Sequence, residues 1–211
     1  YRSANAVLAK DLSQELGLGP AELGFMTSLF YLAFAAAQLP LGGLLDRVGP
    51  RAVTPALLLV AALGSVVFGL AQSFAVLALG RALSGVGMAA ALMGSMRAFS
   101  LWFPRNYATV STLLVGLGAT GGLMAATPLA LLKEALGWRG VFLLGAFVVA
   151  LVALALYLGE RNTPPGGAWP GGQRGNGLGE VFRNGRLLRV AVLALAFAGS
   201  FLALQPLWAG D

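Results

Sequence analysis

Residues 42–51 read GGLLDRVGPR. Three glycines, a proline and the charges Asp46, Arg47 and Arg51 interrupt a chain that is apolar on both sides. Neither 23–45 nor 54–71 contains a charged residue, and each run has about the 20 residues a helix needs to cross a bilayer. The stretch therefore reads as a turn at a membrane face. Gly42 is expected to allow close helix approach and Gly49 to permit a tight turn. Any helix-end loop needs glycines to turn and arginines to stay on its side, so part of the pattern is generic. Asp46 is less generic, because an acid at an otherwise basic face needs a partner. Arg97, at the same end of a later span, is the candidate.

The composition supports the membrane reading. The 211 residues are 58% hydrophobic and only 10% charged, where a soluble domain has about 25% charged residues. The net charge is +6, yet the basic residues do not cluster with interleaved aromatics, so nucleic acid is not an expected partner. There is no cysteine and no histidine. Disulfides, thiolate or imidazole metal sites and Ser-His-Asp chemistry are thereby excluded. No mid-span Asp or Glu offers an acid or base. No catalytic residue, metal or cofactor is expected, and the chain does not read as an enzyme.

Outward from the turn, candidate spans cover 23–45, 54–71, 74–96, 107–132, 140–158 and 190–208, with 1–9 as the end of a truncated first helix. They lack the period of two of a barrel strand, so each is expected to be a helix. Residues 160–186 hold eight glycines and three prolines, a linker composition. The expected division is a bundle over 1–159, a linker over 160–186 and the first helix of a second bundle over 187–211. Tyr1-Arg2-Ser3 lacks the initiator Met, basic n-region and cleavage site of a signal peptide, and the chain is expected to be an internal piece of something longer.

Threading these spans sorts the charges. Arg47, Arg51, Arg97, Arg105, Arg161, Arg174, Arg183, Arg186 and Arg189 fall on one side, Lys10, Lys133 and Arg139 on the other. The positive-inside rule puts the 42–51 loop and the 160–186 linker in the cytoplasm, with the bilayer as the chain's environment. LLDRVGPRAV from Leu44 also has a faint echo in LKEALGWRGV from Leu132, which aligns Gly49-Pro50-Arg51 with Gly137-Trp138-Arg139. The two lie on opposite sides of the membrane, as an inverted repeat would place them.

Gly42, Asp46, Arg47, Gly49 and Arg51 match a Gly-x-x-x-Asp-Arg/Lys-x-Gly-x-Arg/Lys-Arg/Lys signature, with Ala52 in its last basic position. RALSGVG supplies Arg81, Gly85 and Gly87 in an Arg-x-x-x-Gly-x-Gly pattern, and GWRGVF opens the sixth helix. In these features the sequence resembles the major facilitator superfamily. The resemblance implies an all-α, polytopic membrane helix bundle with an inverted 3+3 repeat, truncated to the N-terminal six-helix half, a linker and helix seven. The missing C-terminal half is then a partner.

The resemblance also places the first and fourth helices along a central cavity. Arg2 and Arg81 lie roughly 10–12 Å below the outer interface at about 1.5 Å per residue. They are candidates for solute binding, with Asn5, Tyr31 and Gln38 as further hydrogen-bonding groups. The alternative for each arginine is snorkelling or a structural contact. GLGATGG, residues 116–122, is expected to serve close helix packing.

The expected function is secondary active transport of a small solute by alternating access, with an organic or inorganic anion favoured and a coupling ion or counter-substrate implied. The expected location is the bacterial inner membrane. The alternatives are efflux of amphipathic compounds, or a transporter-like scaffold or sensor without transport activity.

Overall fold

The structure, a computed structural model, describes residues 15–124 and 126–164, together with 183, 185, 189, 192 and 193. The chain divides into two units, Tyr1–Gly172 and Gln173–Asp211. In the first, every regular element among the described residues is an α-helix: α1 Pro20–Val48, α2 Pro50–Gly69, α3 Phe74–Trp102, α4 Tyr107–Met124 and α5 Ala126–Gly159. Residues 1–9, the part of the expected 160–186 linker from 165 onward and the span expected at 190–208 lie outside the described residues, apart from isolated positions.

Apolar runs become helices because a helix satisfies its own backbone polar groups in lipid. The hydroxyls inside them follow the same logic, as Ser65, Ser95, Thr112 and Thr120 each donate to the carbonyl four residues back. Among the described residues, four helices are long and apolar enough to cross a membrane: Pro20–Val48, Pro50–Gly69, Phe74–Trp102 and Pro128–Gly159. Their outward leucines, such as Leu32 and Leu158, are exposed, a surface suited to lipid rather than water.

Helix ends are set by proline and glycine. Pro20 opens α1, where Glu22 reaches back to accept the Gly19 N–H at 2.8 Å. Gly49 alone separates α1 from α2, with φ 94° and ψ 159°. Gly137 breaks α5 in the same way, with φ 68° and ψ 170°. This region of backbone space is essentially closed to side chains. The faint echo between residues 44–53 and 132–141 is therefore an echo of conformation as well as of letters. It also moves a boundary, because the expected 107–132 span continues to Gly137 in the element that contains 140–158.

The helices pack in the order α1, α3, α2, α5, with α4 touching its described neighbours sparsely. Backbone approach is closest between α2 and α3. A Cβ at Gly64 would lie 2.6 Å from the Ser84 nitrogen, and one at Gly80 would lie 2.8 Å from the Phe68 nitrogen. Two apolar clusters result. Leu41, Leu45, Val53, Ala89 and Ala90 fill the Gly49 end, while Leu18, Met26, Phe68, Ala71, Leu77, Trp138 and Phe142 fill the Gly137 end.

Candidate functional site

At the Gly49 end, Asp46 and Arg47 occupy the last turn of α1, where the basic residue complements the negative helix terminus. Arg97 Nη2 lies 3.1 Å from Asp46 Oδ1, so the two residues paired by charge in the sequence are paired in space. Their side chains remain 32% and 58% exposed. A pair so exposed contributes about 0.2–1 kcal/mol to stability. Gly42, expected to permit close helix approach, has open space where a Cβ would go among the described residues.

The tight contact in this turn belongs to Asn162, which the sequence does not single out. Its Oδ1 accepts the Arg51 N–H at 3.0 Å, and its Nδ2 faces the Val48 carbonyl at 3.5 Å. One amide thus serves an orphan carbonyl at the end of α1 and an orphan N–H at the start of α2. Gly49 is required by its φ, and a Cβ there would lie 2.5 Å from Asn162 Oδ1, so it would also push the Asn162 amide out of its place. The neighbouring Arg161 carbonyl accepts the Trp102 indole N–H at 3.2 Å, and Arg51 stands 5.9 Å from the centre of the Tyr157 ring. Burial pushes the Glu160 carboxyl up. A lone asparagine in a Gly/Pro-rich run carries no sequence signal.

RALSGVG resolves into two jobs. Gly85 backs onto the Phe30 carbonyl of α1, and Gly87 onto Ala61 and Leu57 of α2. Arg81 is buried at 3% exposure, with its guanidinium 4.4 Å from the Phe68 ring centre and 5.4 Å from that of Phe142. That is cation–π geometry inside the helix bundle. Tyr31 and Gln38 are half-buried on α1, seven residues apart and hence on one face. Tyr31 meets the Phe30 ring edge-on at 5.5 Å. Arg2 and Asn5 lie outside the described residues.

The Gly137 end carries a second polar knot. Arg139 donates from Nη1 to the Gly69 and Ala71 carbonyls at 3.1 and 2.7 Å, and from Nη2 to Glu15 Oε1 at 2.8 Å. Trp138 donates its indole N–H to Glu15 Oε2. That hydrogen bond, followed by the one from Arg139, holds the Glu15 carboxyl below its usual range. Neither Glu15 nor Trp138 has a binding role legible in the sequence; the available signals were the GWRGVF stretch and the echo that aligns Arg139 with Arg51.

Comparison with known proteins adds the biological frame. The family model for the Major Facilitator Superfamily matches residues 1–211. The chain is 30% identical over 162 residues to a probable L-galactonate transporter of Escherichia coli, covering 76% of this chain and 36% of that protein. It is 32% identical over 145 residues to a probable sulfoacetate transporter of Cupriavidus necator, covering 67% and 33%. It is 29% identical over 187 residues to a nitrate/nitrite transporter of a Picosynechococcus species, covering 75% and 35%. The chain thus spans about a third of the length of each of these relatives.

Proposed function

This chain belongs to the major facilitator superfamily, and from that premise we propose that it supplies one half of a secondary transporter for small anions. As a member of that family it is an integral, multi-pass membrane protein. One observation carries the proposal: relatives named for galactonate, sulfoacetate and nitrate share the feature that their solutes are anions. Transport would proceed by alternating access, with this bundle rocking against a C-terminal one reached through the 160–186 linker. The arginine bias supports a cytoplasmic Gly49 end, and the bacterial relatives support the cytoplasmic membrane. Arg2, Asn5, Tyr31, Gln38 and Arg81 are the proposed solute contacts, and a coupling ion or counter-substrate completes the cycle.

Arg81 admits a second reading, favoured by its 3% exposure and its two aromatic neighbours. In that reading it braces α3 against α2 and α5 and does not touch solute. A proteoliposome uptake panel on the full-length protein tests the proposal, using galactonate, sulfoacetate and nitrate against neutral and cationic solutes. Saturable uptake of an anion is expected, and uptake confined to neutral or cationic solutes overturns it. Arg81→Lys separates the two roles: a solute contact weakens anion uptake at normal expression, while a brace lowers expression.

A further inference from the structure

The polar knot at the Gly137 end is not needed to close a helix turn, since Gly137 itself provides that turn. Its donors and acceptors come from three places: Glu15 ahead of α1, the Gly69–Ala71 segment that ends α2, and Trp138-Arg139 in α5. Arg139 is suited to join them. Its fork reaches two carbonyls at the negative end of α2, while its other nitrogens, Nε at 3.3 Å and Nη2 at 2.8 Å, hold Glu15 Oε1. The same guanidinium stacks 4.4 Å from the centre of the Trp138 ring.

Beneath this clasp lies the seat of Arg81. Phe68 directly precedes Gly69, whose carbonyl Arg139 holds. Phe142 stands one helical turn beyond Trp138. Clamping the end of α2 onto the start of this α5 segment therefore sets Phe68 against Phe142, with ring centres 4.4 Å apart. Trp138 closes the stack edge-on to Phe68 at 5.9 Å. Arg81 rests on both phenylalanine rings. A cation at membrane depth costs at least about 2.5–3.5 kcal/mol on insertion scales, so its seat must be held in place.

We propose that Glu15 and Arg139 are positioning residues, an outer clasp that holds the Phe68–Phe142 seat of the buried Arg81. The clasp lies within one bundle, so rocking of that bundle against another leaves it intact. It keeps the outer ends of α2 and α5 moving as one body. This inference rests on the transport reading only for its purpose in the cycle. Its test needs no solute, so failure of uptake and failure of the clasp are separate results.

The absence of native cysteine gives two clean reporters in the full chain: Ser84→Cys, one turn from Arg81, and Thr54→Cys, near the Gly49 end. The parent side chains are 2% and 4% exposed. Thiol-labelling rates are measured in each, alone and combined with Glu15→Gln, Arg139→Lys or both. Local opening beside a loosened seat is expected to speed labelling at position 84 by about tenfold and leave position 54 unchanged. The double variant is expected to be no faster than either single one, since both remove one clasp. Acceleration of both reporters together means general destabilisation and overturns the proposal, as does acceleration of neither or of position 54 alone. Should Glu15→Gln fail to insert, Trp138→Phe removes the indole donor, keeps a ring and is judged by the same outcomes.

Discussion

The helices α3 and α4 are both rich in glycine and use it in opposite ways. On α3, a Cβ at Gly80, Gly85, Gly87 or Gly94 would collide with α1 or α2. On α4, a Cβ at Gly116, Gly118, Gly121 or Gly122 meets nothing within 4 Å among the described residues. The seven-residue spacing of Gly80, Gly87 and Gly94 keeps one face of α3 against α2 for four turns. The expectation that GLGATGG marks close packing is therefore not met within the described part of the chain. Glycine content alone says that a helix can be approached closely; only the partner's backbone says where.

The largest expected effect sharpens this contrast. Gly87→Ala drives a methyl group into the Ala61 and Leu57 backbone, where no flexible side chain can give way. Overpacking of this kind destabilises by about 1–3 kcal/mol, visible as a lower melting temperature in detergent. Gly121→Ala should stay within about 0.5 kcal/mol of the parent, because it adds a methyl group to open space. Equal losses from the two would show that a partner covers the α4 face, and the contrast between the helices would be gone.

Legibility in the sequence followed the range of the interaction. Helices were legible because burial in lipid acts on each apolar run separately. The Asp46–Arg97 pair was legible because opposite charges at one membrane face attract. The Gly49–Gly137 echo was legible because a positive φ demands glycine at a single position. Asn162 and Glu15 were not, since their partners lie 111 to 124 residues away and any polar residue nearby would read the same. Arg81 was marked by its depth and by the RALSGVG pattern, but its seat on Phe68 and Phe142 is a matter of packing that neither signal encodes.

The two glycine turns give the next comparison. Gly49→Ala and Gly137→Ala should each cost about 1–3 kcal/mol of backbone strain. Gly49→Ala should cost more, since its Cβ also meets Asn162 while Gly137 has open space. A melting series that includes Asn162→Ala tests this order. Asn162→Ala should rescue part of the Gly49→Ala loss and none of the Gly137→Ala loss. Equal losses in the two turns, with no rescue, would remove Asn162 from the account of the Gly49 turn.

A smaller effect separates the two ends by pH. Glu15 is held below the ordinary carboxylate value of 4.5, first by Trp138 and then by Arg139. A group with a depressed folded pKa stabilises above its unfolded pKa and loses that contribution as pH falls through the folded value. Melting temperature should thus begin to drop below about pH 4.5, and Glu15→Gln should remove that component of the profile. An identical acid profile in parent and Glu15→Gln would count against the ion pair.

Asp46→Asn should have the smallest effect on stability and yet a visible one on transport. With side chains 58% and 32% exposed, Asp46 and Arg97 lose about 0.2–1 kcal/mol or less when the pair is broken, and salt should shrink even that. On the proposed alternating-access reading, a two-state transporter near balance responds to small biases, because 1.4 kcal/mol shifts a ratio tenfold and half that shifts it about threefold. Uptake by Asp46→Asn in the full-length protein should therefore fall while its melting temperature stays close to the parent's. Arg97→Gln should reproduce the defect, and combining the two should add little, since both remove one contact. Unchanged uptake in Asp46→Asn would reduce the pair to surface decoration. A large melting loss would instead show that it is more deeply buried in the complete transporter than in this chain.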